Sequence, residues 1–160
     1  MSYPPPSYDG PGETSAFLRV DGTPPDLGSS PGNTVDYLAT HTATDGAFGL
    51  YRWNFGPQVS GPDPHFHKTI SESFYILTGS VKIHDGTRWQ TTRSGDFVHV
   101  PPGGVHGFKN DSGEAASMLL LFTPGAPREE YFETLFAGGT AEMTEDEKAA
   151  FYLRHDNYWL

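Results

Sequence analysis

Short strand-like runs separated by turn residues occupy the sequence from residue 34 to residue 123 and limit the chain to a mainly β fold. The 160 residues include 19 Gly and 14 Pro, and aromatic residues reach 14%, which favours short strands and frequent turns over long helices. Asp45-Gly46 and Asp85-Gly86 each lie between two runs and predict two-residue hairpin turns, because such turns need positive φ angles. We therefore expect antiparallel neighbours among these runs: VDYLAT, FGLYRWNF, SFYILTGSVKIH, TRWQTT, DFVHV, HGFKN and ASMLLLF.

The two ends of the chain differ from this central part. Residues 1–33 are rich in Pro, Gly, Ser and Asp and predict a partly extended N-terminal arm. Residues 125–160 contain two helical patterns, and Thr144 with Glu147 forms the capping-box pattern that opens the second one. We expect a β-barrel over residues 34–124 and a C-terminal helical segment that packs on it.

Charge and composition exclude several classes of function. Twenty acidic residues against ten Lys and Arg give a net charge of −10, and no basic cluster interrupts it, so nucleic acid and anionic membrane are poor partners. The absence of cysteine excludes disulfides and thiolate metal sites. The N-terminus lacks a basic and apolar signal pattern, and no run approaches about 18 apolar residues. We expect a soluble, cytoplasmic protein.

Three histidines and one glutamate form the pattern that says most about function. In a strand, His65 and His67 point to the same side because successive side chains alternate. Glu72 lies at an odd offset from His67, so we expect a turn through residues 68–71 that starts an antiparallel strand opposite the histidines. His106 follows a Pro-Pro-Gly-Gly turn that reverses the chain. Three imidazoles and one carboxylate suit a divalent transition metal, and a six-coordinate ion keeps two positions for water, dioxygen or substrate.

The same alternation predicts an apolar pocket around these ligands. Phe74 and Ile76 share the face of Glu72, and Phe108 shares the face of His106. A single histidine is more often structural than a ligand, but four potential ligands at consistent positions favour a metal site.

Two further polar residues are candidates with an alternative interpretation. His99 shares a face with Phe97, and it either lines the pocket as a proton shuttle or substrate contact or is a structural strand histidine. Arg52 would bind a carboxylate or enolate oxygen if it faces inward, and it is solvent-exposed if it faces outward.

The histidine stretches resemble the two motifs of the cupin superfamily, G-x5-H-x-H-x(3,4)-E-x6-G and G-x5-P-x-G-x2-H-x3-N. The opening glycine of the first motif would fall at Val59, whereas the nearby glycine is Gly61, so the local loop differs. The other positions match, with His65, His67, Glu72 and Gly79 in the first motif and Gly95, Pro101, Gly103, His106 and Asn110 in the second.

This resemblance implies an all-β fold, the cupin double-stranded β-helix or jelly-roll barrel, with a metal in its mouth. The sequence is similar to small single-domain cupins of the quercetin-dioxygenase-like group, which are frequently dimeric, so we expect a homodimer. The resemblance implies that one divalent transition metal per chain, Fe, Mn, Ni, Co or Zn, is held by His65, His67, Glu72 and His106.

Three functions are compatible with these residues. The first is a mononuclear metal-dependent dioxygenase acting on a small enolic or phenolic compound, with Glu72 doubling as a base if it loosens from the metal and Phe74, Ile76 and Phe108 excluding water. The second is a metal-dependent isomerase, lyase or polyketide cyclase without a redox step. The third is a non-catalytic module that binds a small molecule.

Overall fold

Antiparallel strands organise residues 2–160, the part of the chain that the computed structural model describes. Two helices, α1 (Glu129–Phe136) and α2 (Glu145–Arg154), come after the tenth strand and before the last. The strands are β1 (Leu27–Gly28), β2 (Thr34–Ala39), β3 (Gly49–Phe55), β4 (His65–Phe66), β5 (Ser71–Thr78), β6 (Ser80–His84), β7 (Trp89–Arg93), β8 (Phe97–Val100), β9 (Gly107–Lys109), β10 (Ala116–Thr123) and β11 (Tyr158–Trp159).

The strands form a β-sandwich of the jelly-roll type, as the sequence predicts. The larger sheet has the order β1-β2-β3-β10-β5-β8, and its strand pairs are antiparallel. On the opposite side, β6 lies between β7 and β9, and β4 pairs with β11. A backbone bridge between His65 and His106 connects β4 to the residue before β9. Because β5, β8 and β10 belong to the larger sheet and β6, β7 and β9 to the opposite one, the chain crosses repeatedly between the two layers.

Strict alternation of side chains builds the core between the layers. In β3 every second residue is buried, and in β10 the buried residues again alternate with half-buried ones. The buried side chains of the two strands are Tyr51, Trp53, Phe55, Ala116, Met118, Leu120 and Phe122. The prediction of a mainly β fold is therefore confirmed, and the alternation of buried residues shows which face of each of these strands points inward.

The two predicted hairpin turns are longer than two residues. Residues 40–48 connect β2 to β3, and within them Asp45 and Gly46 have the predicted positive φ angles of 50° and 78°. Residues 85–88 connect β6 to β7, where the Asp85 carboxylate accepts hydrogen bonds from two backbone N–H groups of the same loop. That side chain closes a four-residue turn, so the two-residue prediction is wrong while the antiparallel pairing is right.

Residues 2–26 contain no helix or strand, and part of this arm lies against the outer face of the larger sheet. Arg19 forms an ion pair with Asp26 at 2.8 Å, and Asp21 lies 3.5 Å from Arg52 of β3. The chain then enters the sheet through β1, which pairs with β2.

Both predicted helices are present and pack on the barrel. The ring of Phe132 in α1 lies 5.4 Å from that of Trp53, and Tyr131 stacks on Phe151 of α2 with a centroid distance of 5.5 Å. Thr144 and Glu147 form the predicted capping box. Within residues 2–160, neither helix has the length and apolar character that a membrane crossing requires.

Replacing Thr144 with alanine should lower the free energy of unfolding by about 1 kcal/mol, because the Glu147 backbone N–H loses its acceptor. Urea denaturation followed by circular dichroism measures this change. Thr144→Ser keeps the hydroxyl and should match the wild-type protein. Equal stability of the alanine variant would show that the cap does not stabilise α2.

Candidate metal centre

The four predicted metal ligands lie together in the interior. His65, His67, Glu72 and His106 are each at most 4% exposed, and each offers a nitrogen or oxygen atom within 4.8 Å of the other three. The Glu72 carboxylate contacts two of the rings, with Oε2 at 2.8 Å from His106 Nε2 and 3.2 Å from His67 Nε2. This donor set is compatible with a divalent transition metal and does not specify which one.

Separate elements bring these side chains together. His65 begins β4, and its backbone exchanges two hydrogen bonds of 2.8 Å with the backbone of His106. The predicted reversal after His67 is present, since β5 begins at Ser71. However, β5 pairs with β10 and β8 and not with β4, so Glu72 faces the histidines across the sandwich rather than from a neighbouring strand.

Backbone carbonyls orient all three imidazole rings. A carbonyl oxygen can only accept, so each Nδ1 carries a hydrogen, and each Nε2 offers its lone pair to an ion once it carries no proton. The Nδ1 atoms of His65, His67 and His106 donate to the carbonyls of Asp63 at 2.8 Å, Asp156 at 2.7 Å and Gly104 at 2.9 Å.

Burial and mutual contacts set the protonation of the site. Burial favours the neutral acid at Glu72, but hydrogen bonds from His106 and His67 outweigh it and hold the pKa of Glu72 well below its usual value. Burial, with repulsion from His106, lowers the pKa of His65 to about 4. At His106 burial is outweighed by the hydrogen bond to Glu72, which raises the pKa of His106 and favours a proton that a bound cation would displace. Glu72 is therefore an anionic donor and His65 a neutral one near pH 7.

Asp156 supports the centre from the C-terminal segment, and the sequence offered no signal for it. Besides accepting from His67 through its carbonyl, it accepts through Oδ2 from the backbone N–H and the hydroxyl of Thr69, at 2.8 and 2.7 Å. Its Oδ1 accepts from the Lys68 backbone N–H at 3.0 Å. Asp156 adopts a left-handed backbone conformation with a φ of 57°. It thereby ties the loop between His67 and Glu72 to the C-terminus.

A cavity of about 390 Å³ adjoins the centre, within the size range of small-molecule sites. His65 and Glu72 line it, together with Phe108 and the buried Arg128. Its remaining wall is mainly aromatic and includes Trp53, Phe122, Tyr131, Phe132, Phe136, Tyr152 and Trp159. Helix α1, which the sequence predicts as a cover for the barrel, therefore also forms a wall of this cavity.

Sequence reasoning missed Arg128. It is the N-cap residue of α1, its side chain makes no capping hydrogen bond, and no basic residue lies in the last turn of that helix. A cation is disfavoured at the positive end of a helix dipole, so an arginine at this position was the one available signal of a separate role.

Two of the predicted pocket residues lie in the core and do not line the cavity. Phe74 and Ile76 are buried to at least 99%, and the ring of Phe74 packs on Phe108 at 5.7 Å and on His106 at 6.1 Å. They share the face of Glu72 as predicted, but the two layers are in direct contact there and leave no space for a ligand. Of the three apolar residues predicted for the pocket, Phe108 alone lines the cavity.

His99 and Arg52 lie on the outer face of the larger sheet, so their predicted places in the pocket are wrong. His99 pairs with Ser73 rather than with Glu72, its side chain is exposed, and its Nδ1 lies 2.8 Å from the Ser73 hydroxyl. Arg52 pairs with Asp36, and its Nε donates to that carboxylate at 2.7 Å. In both cases strand register places the opposite face inward.

Comparisons with known proteins agree with this architecture. Residues 51–122 match the family model described as the cupin domain. Quercetin 2,3-dioxygenase from Bacillus subtilis is 32% identical over 98 residues, which are 61% of this chain but 28% of that protein, so the chain spans little more than a quarter of its length.

Two solved structures share the fold at low sequence identity. An RmlC-like cupin from Shewanella frigidimarina superposes with a TM-score of 0.57 and 17% identity, covering 72% of this chain and 96% of that one. The polyketide cyclase RemF from Streptomyces resistomycificus superposes with a TM-score of 0.56 and 23% identity, covering 67% and 79%. Given the jelly-roll fold, the clustered motif residues and the match over residues 51–122, the chain contains a cupin domain.

Proposed function

We propose that this cupin holds one divalent transition metal and acts as a mononuclear dioxygenase on a small enolic or phenolic compound. The observation that carries the proposal is the convergence of three imidazole nitrogens and an ionised carboxylate beside a cavity of substrate size. The similarity to quercetin 2,3-dioxygenase supports the class of reaction, over a part of that protein.

The chemistry of the donors fits such an ion. The Nδ1 atoms of His65, His67 and His106 donate to carbonyls, so each Nε2 can bind an ion once it carries no proton, and Glu72 supplies one negative charge. These four side chains would hold Fe, Mn, Ni, Co or Zn. When bound, an ion of this kind supplies the redox or Lewis-acid chemistry that the side chains themselves lack.

Residues that line the cavity would deprotonate the substrate and exclude water from it. Among residues 2–160, Glu72 is the one carboxylate that lines the cavity, and once it loosens from the ion and from His67 and His106 it can take the proton of an enol or phenol hydroxyl placed beside it. The aromatic wall excludes bulk water, which strengthens electrostatic contacts within the cavity. His99 takes no part, because it lies on the outer face.

The expected partners follow from the same site and the overall charge. A cavity of about 390 Å³ accommodates a small molecule, and the net charge of −10 disfavours nucleic acid. The homodimer stays a prediction, which analytical ultracentrifugation would test.

His106→Ala should abolish metal retention, because it removes a nitrogen donor and the shorter hydrogen bond to Glu72. Elemental analysis of purified protein should find about one transition-metal ion per wild-type chain and almost none in the variant. His99→Ala on the outer face is the matched control and should retain the ion. A His106→Ala protein with full metal stoichiometry would contradict the ligand assignment.

Asp156→Ala should weaken Co²⁺ binding about 10-fold, the lower end of the range for residues that orient metal ligands. The variant loses the carboxylate that anchors Thr69, and alanine is unfavourable at a φ of 57°. Titration calorimetry measures the affinity. Asp156→Asn tolerates this backbone conformation and keeps an acceptor, so it should remain near wild type. Unchanged Co²⁺ affinity in the alanine variant would show that Asp156 does not support metal binding.

Purified metal-loaded protein should consume dioxygen when supplied with a flavonol, a catechol or a β-diketone. An oxygen electrode measures uptake, and elemental analysis of the same sample identifies the ion. Turnover of one of these compounds without dioxygen uptake, with zinc bound, would indicate an isomerase, lyase or cyclase instead. Binding without turnover would indicate a non-catalytic module, and either result would overturn the dioxygenase proposal.

A further inference from the structure

The cavity beside the metal centre contains a buried cation without a carboxylate partner. Arg128 is 4% exposed, and within residues 2–160 its guanidinium forms no ion pair with Asp or Glu. Both of its hydrogen bonds come from Nη1, which donates to the His155 carbonyl at 2.6 Å and to Asn157 Oδ1 at 3.2 Å. Its Nε is buried and donates to no atom in the same part of the chain. Buried charges are normally paired, so this cation is incompletely compensated.

Aromatic rings surround the rest of the guanidinium. Its central carbon lies 4.3 Å from the ring centroid of Tyr131, 5.2 Å from that of Phe122 and 5.5 Å from that of Phe132. Such contacts stabilise a desolvated cation but offset only part of the cost of its desolvation. The rings orient Arg128 without supplying a counter-charge.

Metal binding would increase the need for a negative charge in this cavity. The carboxylate of Glu72 already contacts His67 and His106, and it supplies one negative charge. With neutral imidazoles, a dication together with Glu72 and Arg128 leaves two positive charges in excess. In a buried site of low dielectric constant, this excess strongly favours an anionic ligand.

We propose that Arg128 binds an anionic oxygen of the substrate, either a carboxylate or a deprotonated enol or phenol, on a flat aromatic or conjugated framework. The framework follows from the cavity, whose walls include the rings of Trp53, Phe108, Phe136, Tyr152 and Trp159. The planar guanidinium suits an oxygen anion because it donates several hydrogen bonds in a fixed geometry. This inference rests on the proposed function, since it names the substrate class of the same site.

Arg128 also contacts the segment that orients the centre, and the test must separate these roles. Its partners His155 and Asn157 flank Asp156, whose carbonyl accepts from His67. A purely structural arginine would affect metal content and the binding of all ligands together. A substrate-binding arginine affects the choice between an anion and a neutral molecule of the same shape.

The experiment compares benzoate with benzamide by titration calorimetry, using Co²⁺-loaded protein and protein stripped with a chelator. Wild-type protein should bind benzoate about 10-fold or more tightly than benzamide, which is the difference expected for a charge-assisted hydrogen bond. Arg128→Met should lose this preference in both states, with Co²⁺ content and benzamide affinity unchanged. Arg128→Lys keeps the charge without the planar fork, and it should retain part of the preference.

Three results would overturn the inference. Arg128→Met could keep the wild-type preference for benzoate, could lose benzamide binding to the same extent, or could lose its Co²⁺. If Arg128→Met does not fold, as judged by circular dichroism, Arg128→Lys decides: an unchanged benzoate preference overturns the inference, and a selective loss supports it.

The same measurements distinguish this inference from the proposed function. Wild-type protein that binds no Co²⁺, yet prefers benzoate through Arg128, would overturn the metal proposal and leave the anion site. Protein that binds Co²⁺ and consumes dioxygen, with benzoate affinity independent of Arg128, would overturn the anion site alone.

Discussion

The structure depends on one buried carboxylate and the two imidazole rings that form hydrogen bonds with it. Glu72 is 2% exposed, and its charge would be costly in the interior without the hydrogen bonds from His67 and His106. Its partners come from the opposite layer of the sandwich, so the contact requires both layers to be in place. The interaction that stabilises the charge is thus the one that arranges three of the four donors.

The C-terminal segment completes the candidate metal centre and the cavity beside it. β11 pairs with β4 next to His65, Asp156 orients His67, and α1 brings Arg128 into the cavity. The barrel supplies the four candidate ligands, and the segment after it supplies most of the aromatic residues of the wall and the added positive charge. Because one fold carries many chemistries, specificity in this protein has to be sought in that segment as much as in the motif.

Local rules predicted a large part of the fold and the site. Alternation along β3 and β10, the capping box at Thr144 and the shared face of His65 and His67 follow from spacing between near neighbours in the chain. The place of the distant His106 beside them was implied by the resemblance to the second cupin motif. Spacing between near neighbours is retained in any arrangement of the strands, because it comes from backbone geometry. The antiparallel connections were predicted for the same reason, although the lengths of their turns depended on side-chain hydrogen bonds.

Long-range packing settled the remainder. Alternation says that His99 and Phe97 share a face, but the pairing of His99 with Ser73 makes that face the outer one. Phe74 was predicted to line the pocket, but it belongs to the core because the two layers are in contact there. Arg128 and Asp156 lie far along the chain from the first histidines, and their roles arise when the C-terminal segment folds back over the barrel. The alternation of residues in the sequence determines which side chains of a strand share a face. Which of the two faces points inward depends on the neighbours of that strand in the folded protein.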